Sequence, residues 1–243
     1  MPPVLLDNIT HRDLRILTTH GPALGDDVMT SPVFPTEFRS VQAHYPIVFQ
    51  QGADGALQPV ALLGLRQGEN LFLDEGAGRW DAHYVPLALA RQPFLIGRAG
   101  EELVIHVDTS HPRVRGLAGH DDMADGVPLF LPHGGASEYL EHANSVLLAL
   151  HEGLESLPAF TAALLRHELL ESFVMDVELS DGSQSRLAGF LTIHEERLAA
   201  LGADALHDLH RAGHLAAVYL VVASLAHLRD LVERLNARLA AGG

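Results

Sequence analysis

Between Tyr45 and about Asp108, short apolar runs alternate with turns rich in Gly and Asp, and this spacing constrains the fold more than any other feature of the chain. Such spacing is typical of antiparallel strands joined by hairpins. Three hairpins are predicted in this region, with turns near residues 52–55, 74–78 and 98–100. This part of the chain is therefore expected to form antiparallel β-sheet.

From Ser137 onward the apolar residues recur at helical spacing, and Ser137 is the expected N-cap of the first helix. Pro158 is expected to start a further helix that runs to about Leu170. A short helix is predicted over residues 194–201, and a long final helix is predicted from Asp204. The C-terminal part is therefore expected to be mainly helical.

A β-hairpin is predicted within this helical part. Phe173–Leu179 and Ser185–Ile193 read as strands around Asp181 and Gly182, a pair of residues that favours a type I′ turn. We therefore expect an α+β fold in which an N-terminal antiparallel β region packs against C-terminal helices, with this additional hairpin. A single domain over residues 1–243 is expected, β-rich to about residue 118 and mainly helical from about 136.

Two residue types are missing, and each excludes a class of chemistry. The chain has no Cys, which excludes disulfides, thiolate zinc sites, iron–sulfur clusters and cysteine nucleophiles. All 16 basic residues are Arg, so Schiff-base catalysis and a P-loop lysine are excluded as well.

The formal net charge of −15 argues against nucleic-acid binding, because phosphate backbones require a basic surface. Protonation of all 16 His would change that charge to +1, so solubility is expected to depend steeply on pH. The N-terminal residues show no signal-peptide pattern, and the apolar run 215–225 is too short to span a bilayer. We expect a cytoplasmic protein without an integral membrane segment.

Aromatic and polar residues concentrate in the β region, and these are the candidate residues for binding a ligand or a partner protein: Tyr45, Asn70, Trp80, Tyr84 and Arg91. An Arg and an Asn among aromatic rings could bind a ligand. The alternative is core packing, in which the polar ends of the rings form internal hydrogen bonds.

His106 and Asp108 form a candidate metal site at the end of a predicted strand. Strand alternation places both side chains on one face, where a histidine–carboxylate triad for a divalent metal could begin. Together with a distal His and an Arg, they would complete an iron- and 2-oxoglutarate-dependent oxygenase site. The alternative is a strand end whose two polar side chains face solvent.

A helix face offers a second, weaker set of metal ligands. Asp204, His207, His210 and His214 recur at helical spacing and could together hold a divalent ion. A solvated polar face of an amphipathic helix explains the same residues without a metal.

Several segments of the chain resemble the SapC family of bacterial proteins. The segments lie along nearly the whole chain: His11–Leu14, Tyr45–Phe49, Ala61–Leu65, Glu69–Phe72, Trp80–Pro86, Arg91–Phe94, Val107–Ser110, Pro128–Phe130, Leu187–Phe190 and Leu215–Tyr219. Only Asp108 of the His106–Asp108 pair fits the family pattern.

The resemblance implies an accessory role and not a defined activity. Relatives occur beside TonB-dependent receptors and beside halogenase-like and cupin-like proteins, which implies a partner protein and a link to nutrient uptake or peptide modification. A non-catalytic accessory protein that binds a partner or a small ligand is therefore the leading hypothesis. The alternatives are a metal-dependent oxygenase and a surface-layer or secretion-associated structural protein.

Overall fold

The computed structural model describes residues 2–53, 55–74, 76–116 and 125–242. Its strands are β1 Val4–Leu5, β2 Arg15–Ile16, β3 Thr30–Pro32, β4 Ile47–Gln51, β5 Leu57–Leu62, β6 Leu73–Asp74, β7 Arg79–Trp80, β8 Phe94–Ala99, β9 Glu102–Val107, β10 Val114–Arg115, β11 Val127–Pro128, β12 Leu170–Glu178 and β13 Gln184–Ile193. Its α-helices are α1 Phe38–Val41, α2 Leu87–Ala90, α3 Glu138–Arg166, α4 Glu195–Ala199, α5 Ala203–Arg211, α6 His214–Ser224 and α7 Leu228–Gly242, with short 3₁₀ helices at Pro22–Leu24 and Leu225–His227. Every described strand pairing is antiparallel, which confirms the predicted α+β class.

The chain divides into two compact units that take alternating segments of the sequence. Unit I comprises Met1–Asp26, Leu73–Asp81 and Leu87–His151. Unit II comprises Asp27–Phe72, Ala82–Pro86 and Glu152–Gly243. The expectation of a single domain stays a prediction. Of the loop predicted between the β-rich and helical parts, residues 117–124 lie outside the described residues.

Unit I is built from short sheets around one apolar cluster. Its strands form the order β1-β9-β8, the order β10-β2-β11 and the pair β6-β7. The cluster joins residues of these sheets to the first turns of α3: Leu14, Ile16, Phe94, Val107, Val114, Leu129, Leu140, Ala143 and Leu147. A buried ion pair between Asp26 and Arg113, 2.7 Å apart, links the chain before β3 to the chain before β10.

Unit II is a five-stranded sheet of order β12-β13-β4-β5-β3 with α6 packed against β13 and β4. This is the predicted packing of antiparallel strands against C-terminal helices. Phe160 of α3 contacts the rings of Phe38 and Phe49 in the core. The N–H of Ile47 donates to the buried hydroxyl of Ser224 on α6, at 2.8 Å.

The predicted hairpins are present, and one turn differs from the prediction. β4–β5, β6–β7, β8–β9 and β12–β13 pair as expected. At the last hairpin, Gly182 alone has a positive φ, of 80°, and its N–H donates to the Leu179 carbonyl. A type I′ turn needs two positive φ values, so this is a three-residue loop that ends in a left-handed glycine. Asp181 instead accepts hydrogen bonds from Ser183 through its side chain.

Two predicted helix boundaries are wrong. Pro158 does not begin a helix, because α3 runs through it from Glu138 to Arg166. Leu154 and Pro158 are both exposed, so water can solvate the carbonyl that loses its partner at proline. The final long helix is interrupted at Gly213, whose φ of 74° ends α5 and separates it from α6. The predicted N-cap is confirmed, since the Ser137 hydroxyl accepts the N–H of Leu140.

The helical residues His214–Ala241 are long and apolar enough to cross a membrane by length and composition. The mean hydropathy of the most apolar window is 1.6, and 28% of that window is buried. The core helix of a soluble protein meets the same criteria, so this finding does not distinguish the two.

Candidate functional site

Two of the predicted binding residues are joined by buried hydrogen bonds within unit II. Tyr45 is fully buried, and its hydroxyl donates to the backbone carbonyl of Tyr84. The Tyr84 hydroxyl donates to the buried carboxylate of Glu37 at 2.8 Å. Burial and the negative charge of Glu37 raise the pKa of Tyr84. The polar ends of both rings therefore form internal hydrogen bonds.

Asn70 lies in the same part of unit II and connects to the tyrosines through Phe72. Its side-chain oxygen accepts the Phe72 N–H at 2.9 Å, and the Phe72 ring meets Tyr45 edge-on at 4.6 Å. Two arginines of α7 also contact this loop. Arg234 lies over the Phe72 ring at 4.4 Å, and Arg238 donates to the Asn70 carbonyl at 3.1 Å.

The other two predicted binding residues, Trp80 and Arg91, belong to unit I. Trp80 is 8% exposed, and the His20 ring meets it edge-on at 5.5 Å. Arg91 donates to the Phe94 carbonyl at 2.8 Å, and burial lowers its pKa. The five residues are thus divided between the two units. Their joint role in binding stays a prediction.

The candidate metal residues His106 and Asp108 lie at the end of β9, as predicted. The His106 ring occupies the space that a side chain at Gly97 would need. Asp108 accepts hydrogen bonds from the hydroxyl and the N–H of Ser110, and the hydroxyl lowers the pKa of Asp108. Within residues 2–53, 55–74, 76–116 and 125–242, no three metal-ligating side chains form a group that could hold an ion, and this applies both to the surroundings of His106 and Asp108 and to the face from Asp204 to His214.

The histidine face of α5 differs in environment from one end to the other. His207 and His210 are exposed, whereas His214 lies at the start of α6 with its ring against Phe160 at 5.5 Å. Burial lowers the pKa of His214. The half-buried His214 ring therefore packs against Phe160 in the core of unit II.

An open cavity of about 510 Å³ lies within unit I, and we call it the unit I cavity. Its lining comes from β1 and the residues after it, from β9, and from the start of α3: Leu5, Leu6, Asp7, Asn8, Val104, Ile105, Phe130, Gly135, Ala136 and Leu140. Its volume falls within the range of small-molecule sites, which are mostly apolar with a few polar groups.

The pairing of β1 with β9 forms one wall of this cavity. Leu5 pairs with His106, and the Leu6 N–H donates to the Ile105 carbonyl at 2.9 Å. After Leu6 the chain turns away, because the Asp7 carboxylate accepts the N–H groups of Ile9 and Thr10 at 2.9 and 2.7 Å. These backbone hydrogen bonds lower the pKa of Asp7.

Several exposed apolar residues line the unit I cavity or are sequence neighbours of its lining residues. Leu5 lines it and is 51% exposed, while Ile9 and Leu131 follow lining residues and are 86% and 50% exposed. Val4 and Leu103 are the neighbours of two further lining residues and are also exposed. Leu5 is therefore an apolar lining side chain that a ligand in the cavity can reach.

The sequence reasoning missed this cavity. One wall of the cavity is formed by β1 and β9, which come from distant parts of the chain, and neither segment alone indicates that the two strands pair. The one local signal is the apolar run Val4-Leu5-Leu6 followed by Asp7 and Thr10, the pattern of a strand that ends in a side-chain-capped turn.

Comparison with known proteins identifies the family of the chain. No curated protein and no solved structure matches it. The SapC family model matches residues 6–231 of the 243, which takes in strands and helices of both units and most of the cavity lining. The chain belongs to the SapC family.

Proposed function

We propose that the protein is a non-catalytic accessory protein of the SapC type that binds a partner protein or a small ligand, and that the unit I cavity is its binding site. The observation that carries the proposal is the cavity itself, a largely apolar concavity of about 510 Å³ whose lining includes the exposed Leu5. When a ligand or partner covers apolar side chains that are exposed to solvent, the free energy of the system falls, and this favours binding.

The buried hydrogen bonds of the predicted aromatic residues also favour this choice of site. Tyr45, Asn70 and Tyr84 use polar atoms on one another or on Glu37 and Phe72. A ligand there would have to replace buried hydrogen bonds, whereas the unit I cavity can accept an apolar ligand without such a cost. The five-residue prediction remains the competing location.

Titration with Nile red, an uncharged dye whose emission shifts when it enters apolar surroundings, tests the proposal. The protein should bind the dye with one site per chain. Leu5→Asp should weaken binding about tenfold, because it replaces an apolar lining side chain by a charge. Leu165→Asp, an equally exposed position in unit II, should leave binding unchanged.

The opposite result would assign the site elsewhere. Should Trp80→Ala or Arg91→Ala abolish dye binding in a folded protein while Leu5→Asp does not, the cavity is not the site. Circular dichroism and urea unfolding of each variant establish that the fold is intact.

We extend the proposal to the setting that the family resemblance implies: a cytoplasmic protein that associates with a halogenase-like or cupin-like partner, linked to TonB-dependent uptake or peptide modification. Size-exclusion chromatography with such a partner from the same locus should give one co-eluting species. Fractionation of native cells separates this role from that of a surface-layer protein, which would appear in the envelope.

The described residues do not favour the oxygenase alternative, because they add no third metal ligand to His106 and Asp108. Metal analysis of untagged protein, purified without immobilised metal, is its test. Stoichiometric iron that is lost in His106→Ala would overturn the non-catalytic proposal.

A further inference from the structure

The unit I cavity carries one charged lining group, Asp7, and its chemistry narrows the class of ligand. Deep apolar sites usually fix a ligand through a few polar groups at defined positions. Here those groups are Asp7 and Asn8, which follow the edge strand β1 directly. The rest of the lining is Leu, Val, Ile, Phe, Ala and Gly. A complementary ligand therefore has an apolar body and one group that pairs with a carboxylate.

Hydrogen bonding fixes the orientation of the Asp7 carboxylate. Its Oδ1 accepts the N–H groups of Ile9 and Thr10. Its Oδ2 lies 3.2 Å from Nδ1 of the buried His11, and that same nitrogen accepts the N–H of Asp7. An ionised carboxylate oxygen can accept two hydrogen bonds, and Oδ1 already accepts two, so Oδ2, with its single contact to His11, is the oxygen that has a position left for an N–H of a ligand.

Several acidic residues are close in sequence to lining residues of the cavity. Glu102 precedes the β9 residues of the lining, and Glu138 and Glu141 flank Leu140 in the first turn of α3. The basic residues on this side of unit I include His11 beside Asp7, His106 opposite Leu5 and Arg98 opposite Leu103. The chain as a whole carries a net charge of −15. Such a field attracts cations and repels carboxylates and phosphates.

We infer that the unit I cavity binds an apolar amine, that is, an alkyl or aryl group that ends in a positively charged nitrogen paired with Asp7. The inference rests on the proposed function, because it assigns a ligand class to the same site. The shared chemistry is that of a free organic amine and of a lysine side chain presented by a partner protein.

Three probes with one tail and different head groups test the inference: n-octylamine, 1-octanol and octanoate, each used below its micelle concentration to displace Nile red. The protein should bind octylamine about fivefold more tightly than octanol, the size expected for a partly exposed ion pair. It should bind octanoate more weakly than octanol, because Asp7 repels a second carboxylate.

Asp7→Asn is the decisive variant, since an asparagine oxygen can still accept the N–H groups of Ile9 and Thr10. It should reduce the ratio of the octylamine to octanol affinities to about one. Asp181→Asn is the matched control, because Asp181 accepts the N–H of Ser183 in a similar turn of unit II. The ratio should stay at the wild-type value in that variant.

The outcomes separate this inference from the proposed function. Octanol binding without a preference for octylamine, or a preference that survives Asp7→Asn, overturns the amine inference and leaves the cavity as the site. Failure of all three probes and of Nile red overturns both. A capped Leu-Lys-Leu peptide that competes below the octylamine concentration supports the inference with a lysine side chain as the source of the amine, and the reverse order supports it with a free amine.

Discussion

At the scale of single residues, Asp26 and Arg113 form a buried ion pair in which each charge depends on the other. Asp26 is fully buried, Arg113 is 4% exposed, and two guanidinium contacts of 2.7 Å join them. Arg113 also donates to the carbonyls of Leu17 and Thr19. Removal of one member of a buried ion pair leaves the other charge buried without its partner, which is strongly destabilising.

We predict that Asp26→Asn lowers the free energy of unfolding by about 3–5 kcal/mol at pH 7. Asp176→Asn, which breaks the exposed pair with Arg186, should cost less than about 1 kcal/mol. Urea unfolding of both variants measures the difference. Equal, small effects would show that the buried pair contributes no net stability.

The same pair predicts a pH dependence. Burial alone would raise the pKa of Asp26, but hydrogen bonds from His20 and the Gly21 N–H and the charge of Arg113 lower it. A carboxyl whose folded pKa is depressed stabilises the fold above its unfolded pKa, near 4, and loses that contribution as pH falls through the folded value. The wild-type unfolding free energy should therefore drop below about pH 4 more steeply than that of Asp26→Asn.

At the scale of elements, Gly153 shows where helix propensity and packing oppose each other. It lies inside α3, where alanine normally stabilises by about 1 kcal/mol. A methyl group there would come within 2.7 Å of the Cβ and Cγ atoms of Phe34, which is buried. Since Phe34 cannot move away freely, packing should outweigh propensity.

We predict that Gly153→Ala destabilises the protein by about 1–3 kcal/mol, against the sign expected for an exposed helix. Chemical unfolding in a double-mutant cycle checks the cause. In a Phe34→Ala background the penalty of Gly153→Ala should become clearly smaller, because the Cγ atom and the rest of the ring are gone and only the Cβ contact remains. A penalty of the same size in both backgrounds would point to a different cause.

The elements also show what could be predicted from the sequence. The β4–β5, β8–β9 and β12–β13 hairpins were predictable, because each turn and both of its strands lie in one short segment. The pairing of β1 with β9 and of β13 with β4 was not, because no local residue records a distant partner. The wall of the unit I cavity depends on the first of these pairings, so the cavity was hidden as well.

The environments of individual side chains could not be predicted from the sequence either. The sequence marks Tyr45, Asn70 and Tyr84 as candidate binding residues, but the same aromatic–polar pattern fits a binding site and a hydrogen-bonded core. The sequence does not show that the Tyr84 hydroxyl hydrogen-bonds to Glu37 or that the Tyr45 hydroxyl hydrogen-bonds to the Tyr84 carbonyl. For His106 and Asp108 the sequence is compatible with both a metal site and a solvent-exposed strand end. It does not show that Ser110 hydrogen-bonds to Asp108 or that the His106 ring lies against Gly97.

At the scale of the whole molecule, charge should control solubility. The chain has 31 acidic residues, 16 Arg and 16 His, so the net charge falls in magnitude as the histidines titrate. Burial lowers the pKa of His44, His111 and His214, so these three should protonate after the exposed histidines. We predict a solubility minimum near the isoelectric point of about 5.4, measured by light scattering across pH 4–8. Equal solubility at pH 5.4 and 7.5 would contradict this.

The interleaving of the two units bears on cooperativity. Unit I and unit II each take three segments of the chain, so neither can be cut out as one continuous piece. We predict a single unfolding transition in calorimetry, with equal calorimetric and van't Hoff enthalpies. Two resolved transitions would show that the units unfold independently.

The contacts of α7 constrain how the protein can be made. Arg234 and Arg238 hold the Asn70–Phe72 loop, and Asn70 precedes Arg238 by 168 residues. A ribosome releases α7 after every other described element of unit II. During translation the loop and the Phe72 ring therefore lack the contacts with Arg234 and Arg238 until α7 has been synthesised. The nascent chain should need chaperone protection there until synthesis has passed Arg238.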